Sequence, residues 1–194
     1  MDFLRGAIRG NPGQVTLLAI GPLTNLGLLF QADPEAAGLL HGLVLMGGVF
    51  NPASPEYQRE EWNVACDPAA AEIVYRAPAR PHRSVGLDVT QQVVMGAEAV
   101  RARFTAPLLR PVLDMAEIWF AEFFPAITFH DPLTAAVIFD DSLCAFATGA
   151  VSLDPALHPG RTFWQPDGPD APHAVAVSVD AERYFAHFFS VLPG

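Results

Sequence analysis

Two short motifs place polar side chains where they could do chemistry. Glu61 and Asn63 stand on either side of Trp62, and in an extended segment they point to the same side. A carboxylate and a carboxamide on one side can hold two sugar hydroxyls, because the amide both donates and accepts hydrogen bonds. His130 and Asp131 are adjacent near the start of a predicted helix. The imidazole can titrate near neutral pH, and the carboxylate is a hard oxygen ligand for Ca²⁺ or Mg²⁺.

Both motifs also have ordinary structural explanations, and the residues alone leave these open. The segment around Glu61 contains further charges at Arg59 and Glu60, so a solvated acidic loop explains it equally well. Asp131 precedes a proline, a pattern that is common where an aspartate only caps a helix. His130 taken alone is more often a loop or core histidine than a catalyst.

Strand ends are the elements that must position these groups. The apolar run at 44–46 ends in Gly47 and Gly48, where backbone can approach a ligand closely. After a polar loop, Asp67 and Pro68 predict a helix start, with the aspartate as N-cap and the proline as first residue. In open α/β sheets, ligands bind beyond the carboxyl ends of the parallel strands. The sequence therefore predicts a small-molecule site at this edge of a sheet.

The first half of the chain alternates short apolar runs with helical patterns. This alternation is typical of βαβ units, which form a parallel sheet with right-handed crossovers. The strand at 15–20 has no polar alternation, so we expect both of its faces to be covered. The strand ends near Ile20, Met46 and Asp88 should then lie along one edge. We predict strands at 15–20, 43–46 and 84–89, and helices at 2–9, 24–30, 34–40 and 67–76.

The second half is predicted to be mainly helical. The helix at 108–124 has an apolar face too wide for a fully exposed helix. The remaining predicted elements are a helix at 133–139, edge strands at 145–153 and 174–179, a Pro- and Gly-rich loop at 154–172, and a helix at 181–192. The expected fold class is α/β: an open, mostly parallel, Rossmann-like sheet flanked by helices, with a helical segment in the C-terminal half. Residues 1–194 should form a single domain.

The composition excludes several classes of function. The chain has 194 residues, 51% of them hydrophobic, and a formal charge of -10, which argues against a nucleic-acid surface. All 11 basic residues are arginine, which excludes the lysine of Schiff-base chemistry and of a P-loop. No apolar run approaches the roughly 20 residues that span a bilayer, and no signal pattern follows Met1, so we expect a cytoplasmic protein without a membrane partner. Cys66 and Cys144 are isolated, which favours two buried free thiols.

Five segments, in order along the chain, resemble the nucleoside hydrolase family of the inosine-uridine preferring type. Each segment is short, but five in register form a specific pattern that covers most of the chain. The segments are Ile20-Gly21-Pro22-Leu23-Thr24-Asn25, Val44-Leu45-Met46-Gly47-Gly48, Glu61-Trp62-Asn63-Val64-Ala65-Cys66-Asp67-Pro68, Gly86-Leu87-Asp88-Val89-Thr90 and Phe129-His130-Asp131-Pro132-Leu133.

The resemblance implies hydrolysis of the N-glycosidic bond of a ribonucleoside by Ca²⁺-bound water, in purine and pyrimidine salvage. The transition state would resemble a ribosyl oxocarbenium ion. By the same resemblance, Asp131 is a Ca²⁺ ligand, the carbonyl of Ile20 faces the metal, and His130 is the candidate proton donor to the leaving base. The substrate-binding residues that it implies are Met46, Asn51, Glu61, Asn63 and Asp131.

One part of the family pattern has no counterpart in this sequence. The family begins with a strand and an Asp-x-Asp-x-Gly-x-Asp-Asp cluster, which supplies most Ca²⁺ ligands and the base that deprotonates water. Because Ca²⁺ takes 6–8 oxygen ligands, we expect this chain alone to bind Ca²⁺ weakly and to turn over nucleosides negligibly. Missing N-terminal strands would leave an unpaired sheet edge, so we expect association into a homo-oligomer. The alternative interpretation is a non-catalytic remnant that acts as a ligand-binding or assembly module.

Overall fold

Strands and helices alternate through the first half of the chain, as the apolar periodicity predicts. The computed structural model describes residues 1–51, 53–56, 59–166 and 171–192. The helices are α1 Asp2–Gly10, α2 Thr24–Ala32, α3 Trp62–Ala65, α4 Pro68–Arg76, α5 Leu87–Thr90, α6 Ala97–Arg103, α7 Arg110–Glu122, α8 His130–Ala136 and α9 Ala181–Ser190. The strands are β1 Thr16–Ala19, β2 Gly42–Met46, β3 His82–Val85, β4 Val94–Gly96, β5 Ala126–Thr128, β6 Cys144–Asp154, β7 His158–Pro166 and β8 His173–Val179. The predicted helix at 34–40 is only a short 3₁₀ turn, Ala36–Leu39.

The main sheet has six strands in the order β1-β2-β3-β8-β6-β7. The pairs β1/β2, β2/β3 and β3/β8 are parallel, whereas β6 is antiparallel to both β8 and β7. A separate antiparallel pair joins β4 to β5. Every residue of β2 is buried, as expected for a parallel strand with both faces covered. The predicted α/β class with a mostly parallel sheet flanked by helices is confirmed.

Two apolar clusters pack on the two faces of this sheet. Leu43 and Leu45 of β2 belong to the first cluster, together with side chains of α2 and α4. Val44, between them, belongs to the second cluster, together with side chains of α8 and α9. Because successive strand residues point to opposite faces, this division places helices on both sides of the sheet.

The predicted loop at 154–172 is wrong over much of its length, because β7 occupies His158–Pro166. Trp164 of β7 lies opposite Val151 of β6. Since β7 is the last strand of the sheet, prolines at its ends are tolerated there, where one side of the backbone needs no ladder donor. β6 and β8 are therefore interior strands and not the predicted edge strands. Residues 167–170 of the predicted loop lie outside the described residues.

The predicted strand at 84–89 also ends early. β3 stops at Val85, and Leu87–Thr90 forms the short helix α5. Gly86 makes the turn in a crowded position, where a Cβ atom would lie 2.9 Å from the carbonyl oxygen of Gly48. The helix predicted at 133–139 begins earlier, at His130.

The apolar face of α7 is only partly covered by the described part of the chain. Ile118 is 65% exposed and Phe123, which follows the helix, is 72% exposed. The helix contacts the core through a narrower stripe that includes Leu113, Ala116 and Phe120. A hydrophobic pattern predicts which face of a helix can be buried, but it does not predict whether another element packs against that face.

The two thiols have different surroundings. Cys144 is buried, and burial raises the pKa of its thiol to about 12. Cys66 is exposed, because it follows the short helix α3 at the surface, so the expectation of two buried thiols is wrong for Cys66. Within the described residues, none of the helices combines the length and apolar character that crossing a membrane requires.

Candidate active site

A cavity of about 240 Å³ lies where the carboxyl ends of the parallel strands meet α3 and α8. The pair Glu61 and Asn63 and the pair His130 and Asp131, which are far apart along the chain, all line it. Its complete lining is Ile20, Met46, Glu61, Trp62, Asn63, Leu87, His130 and Asp131. A larger groove of about 520 Å³ between α8 and α9 is almost wholly apolar and contains none of the predicted site residues.

Glu61 is buried and acts as the N-cap of α3, not as part of an extended loop as predicted. Its Oε1 atom accepts a hydrogen bond from Asn63 N at 3.0 Å. Its Oε2 atom accepts from Val64 N at 3.1 Å and from Gly48 N at 3.2 Å. Burial raises the pKa of Glu61, the three N–H donors oppose this rise, and the nearby charge of Asp131 adds to it. The carboxylate thus joins the Gly-Gly turn after β2 to the start of α3.

Asn63 is also buried, inside α3, and is tied to the end of β2. Its Nδ2 atom donates to Met46 O at 3.1 Å and lies 3.4 Å from Met46 Sδ. Trp62, between the two predicted residues, lines the cavity but is 75% exposed, so it borders the mouth. The Glu61 carboxylate folds over the first turn of α3 as its N-cap, and this capping geometry, not strand alternation, brings Glu61 and Asn63 to the same cavity.

His130 and Asp131 form the first turn of α8. The Nδ1 atom of His130 lies 2.6 Å from Thr90 Oγ1 in α5. Burial lowers the pKa of His130, although the neighbouring Asp131 carboxylate raises it. Burial likewise raises the pKa of Asp131, with the imidazole acting in the opposite direction. Burial thus disfavours the charged form of both groups, while the attraction between the imidazole and the carboxylate opposes this effect.

The loop after β2 is held by two residues that the sequence analysis did not select. Asp88 Oδ1 accepts from Phe50 N at 3.3 Å, and its Oδ2 accepts from Asn51 N at 2.9 Å. Thr162 of β7 bridges both backbone groups of Val49, at 2.9 Å each. The sequence did give a signal for Asp88, because it placed the strand end near this residue at the same sheet edge as Ile20 and Met46. No sequence signal pointed to Thr162, because it fell within the predicted loop.

Asn51 is the one predicted site residue that the structure does not bring to the cavity lining. Its side-chain oxygen accepts a hydrogen bond from Ala53 N at 2.9 Å, so it caps a local turn. The residue is exposed. Its backbone, which Asp88 holds, contributes to the loop and its side chain does not face the other four groups.

The described residues do not make up a Ca²⁺ site. Across residues 1–51, 53–56, 59–166 and 171–192, there is no group of three or more His, Cys, Asp or Glu side chains that could hold a metal ion. At the cavity, the oxygens of Glu61 already accept three backbone N–H groups. This leaves the Asp131 carboxylate and the backbone near Ile20, a donor set that does not fit the 6–8 oxygen ligands of Ca²⁺.

Comparisons with known proteins point to one family. A family model described as inosine-uridine preferring nucleoside hydrolase matches residues 1–186. The chain is 36% identical over 161 residues to probable uridine nucleosidase 2 of Arabidopsis thaliana, covering 76% of this chain and 48% of that protein. It is 26% identical over 208 residues to probable uridine nucleosidase 2 of Oryza sativa subsp. japonica, covering 96% of this chain and 60% of that protein.

A solved structure with the same architecture supports the assignment. The purine-preferring ribonucleoside hydrolase from Gardnerella vaginalis superposes with a TM-score of 0.85 at 25% identity, over 97% of this chain and 63% of that chain. The chain thus spans between about half and two thirds of the length of these proteins. Because the family match runs from α1 into α9 and the sheet agrees with that of a ribonucleoside hydrolase, the chain belongs to the inosine-uridine preferring nucleoside hydrolase family.

Proposed function

We propose that this chain forms the ribose- and base-binding part of a site that hydrolyses the N-glycosidic bond of ribonucleosides to ribose and free base. One observation carries the proposal: Glu61, Asn63, His130 and Asp131 line the same cavity of about 240 Å³. The names of the similar proteins, a probable uridine nucleosidase and a purine-preferring ribonucleoside hydrolase, support this choice of substrate class.

The two carboxylates suit the sugar side of the reaction. As the glycosidic bond breaks, positive charge develops on the ribose, and fixed negative charge stabilises it more than it stabilises the neutral substrate. Asp131 and Glu61 are close enough for the charge of one to raise the pKa of the other. A carboxylate has about four acceptor positions, so Glu61 can accept one ribose hydroxyl beside its three backbone donors. Asn63 and Met46 would complete the sugar contacts.

The imidazole suits the base side. The leaving base gains electron density on the nitrogen that was bonded to ribose, so a hydrogen-bond donor there lowers the barrier. His130 lines the cavity, and its ring can donate a hydrogen bond while carrying no net charge. Its lowered pKa keeps the ring neutral at neutral pH. In this proposal it assists departure by hydrogen bonding at the base.

Calcium enters the proposal only as the ion that the family resemblance implies. The donor set of the described residues does not fit a complete Ca²⁺ shell, so we derive no step through the ion. The expectation from the sequence therefore stays a prediction: weak Ca²⁺ binding and negligible turnover by this chain alone.

The proposal is tested by measuring uridine and inosine binding to the 194-residue chain by NMR titration, with ribose release measured in the same samples. Asp131→Asn and Asn63→Ala should weaken binding roughly 10- to 100-fold, the range expected when a hydrogen bond involving a charged or buried polar group is lost. Asp114→Asn is the matched control, because Asp114 is an exposed aspartate on α7 and lies outside the cavity lining.

The outcomes separate the interpretations. Binding that only the cavity variants weaken, with ribose release, supports the hydrolase and contradicts the predicted inactivity of this chain. The same binding pattern without release supports the nucleoside site and agrees with that prediction. Cavity variants that bind both nucleosides as the unmodified chain does would overturn the proposed site.

A further inference from the structure

Thr90 is the partner of the His130 ring, although 40 positions separate them in the chain. Thr90 lies in α5 and is fully buried. Its hydroxyl oxygen lies 2.6 Å from Nδ1 of His130, which makes this a short hydrogen bond. Among the described residues, the other acceptor for this hydroxyl is the carbonyl oxygen of Leu87, at 3.5 Å. One ring nitrogen is therefore hydrogen-bonded within the protein, and Nε2 is the ring nitrogen left for a ligand in the cavity that His130 lines.

The chemistry of a neutral imidazole allows two arrangements of the protons. In the first, the Thr90 hydroxyl donates to Nδ1, so Nε2 of His130 carries the ring proton. In the second, Nδ1 carries the proton and donates to Thr90, whose own hydroxyl must then donate to Leu87 O. That second bond would be 3.5 Å long, beyond the usual 2.5–3.0 Å of an O–H···O hydrogen bond. In addition, Leu87 O already accepts from Gln91 N at 3.1 Å. The first arrangement is favoured.

We infer that Thr90 is a positioning residue that holds His130 as the Nε2–H tautomer, so that the cavity receives an N–H donor and not a lone pair. This inference rests on the proposed function for its purpose, because a departing base needs a donor at its nitrogen. A histidine with its lone pair on Nε2 would repel the electron density that develops there. Only a hydrogen bond is involved, so no proton has to leave the ring.

The inference is tested on the full chain by ¹⁵N NMR of the histidine rings, since protonated and unprotonated imidazole nitrogens have well-separated shifts. His130→Gln identifies the His130 signals by their loss. In the unmodified chain at neutral pH, Nδ1 of His130 should have the shift of an acceptor nitrogen and Nε2 that of a protonated one. Thr90→Val removes the hydroxyl with little change of shape, and both shifts should move towards a mixture of tautomers.

Two further variants separate positioning from a merely structural effect. Thr90→Ser restores the hydroxyl and should restore the shifts. Thr134→Val is the matched control, because Thr134 is equally buried but donates to the backbone carbonyl of His130, at 3.0 Å, and not to the ring.

The result that overturns the inference is a proton on Nδ1 in the unmodified chain, or a Thr90→Val spectrum with unchanged His130 shifts in a folded protein. Failure of the proposed function is distinguishable from this. It would appear as absence of uridine and inosine binding, whereas the tautomer is read from the nucleoside-free protein.

Discussion

Lowering the pH from 7 to 5 should destabilise this protein through one buried histidine, His82. This residue is 2% exposed, and neither ring nitrogen has a hydrogen-bond partner within the described residues. The ring stacks on Tyr75 at a centroid distance of 5.4 Å and meets the edge of His173 at 4.7 Å. Burial, with a smaller contribution from the charge of His173, lowers the pKa of His82 to about 3.

The direction of this pH effect on stability follows from proton linkage. The unfolded chain has His82 near its ordinary pKa of 6.5, so between pH 6.5 and about 3 it binds a proton that the native state excludes. Stability is therefore complete above pH 6.5 and falls progressively as the pH is lowered towards 3. At about 1.4 kcal/mol per pH unit, the contribution of His82 to the free energy of unfolding should be about 2 kcal/mol smaller at pH 5 than at pH 7.

The assay is urea unfolding at pH 7, 6 and 5, followed by tryptophan fluorescence, for the unmodified chain and for His82→Phe. The variant removes the titrating group, so it should become more stable relative to the unmodified chain by about 2 kcal/mol between pH 7 and pH 5. Any packing cost of the larger ring acts equally at all three pH values and cancels in this comparison. Burial also raises the pKa values of Glu61, Asp88 and Asp131, but these groups are present in both proteins.

His41→Phe is the matched control, because His41 is exposed. The free energy of unfolding of His41→Phe should depend on pH in the same way as that of the unmodified chain. Parallel stability curves for the unmodified chain and His82→Phe, differing by less than about 0.5 kcal/mol in their change from pH 7 to 5, would refute the reasoning.

Four further outcomes are expected. Asp67→Ala should cost about 1 kcal/mol of stability in urea unfolding, because Asp67 accepts from Ala70 N at 3.0 Å and from the Thr24 hydroxyl at 2.7 Å; an unchanged midpoint would contradict its role as N-cap. Gly48→Ala should lower the free energy of unfolding more than Gly13→Ala. Both glycines have a positive φ (82° and 72°), but only at Gly48 would a Cβ atom lie against Phe50, at 2.6 Å. Equal losses of stability would show that the backbone angle alone determines the cost. Calorimetric titration with Ca²⁺ should show only weak binding, and tight binding by this chain would count against the incomplete donor set. Light scattering should show association, since among the described residues β1 pairs with β2 on one side only, and a clean monomer would contradict it.

The sequence by itself determined those helices and strands that depend on residues close to one another in the chain. The apolar runs gave β1 and β2 because a parallel strand with both faces covered needs no polar alternation. Asp67 and Pro68 defined the start of α4, where the carboxylate accepts from Ala70 N as an N-cap should. Such patterns depend only on neighbours within a few positions, so the residues alone predict them.

The sequence also predicted that these four groups would meet at one place in the fold, and they do line one cavity, although the reason given for one pair was wrong. Glu61 and Asn63 do line the same hollow as His130 and Asp131. They do so as the cap and first turn of α3, because the N–H groups of Asn63 and Val64 bind the Glu61 carboxylate. The expected strand-like alternation was wrong, since it ignored the capping that a carboxylate can provide.

Only the tertiary structure decided which distant residues support the site. Thr90 meets His130 across 40 positions, and Thr162 holds Val49 across 113 positions. Short-range patterns cannot predict such contacts, because they depend on where β7 and α5 pack after the sheet has formed. The exposed face of α7 follows the same logic: its residues specify an apolar surface, and the arrangement of the whole chain decides whether anything covers it.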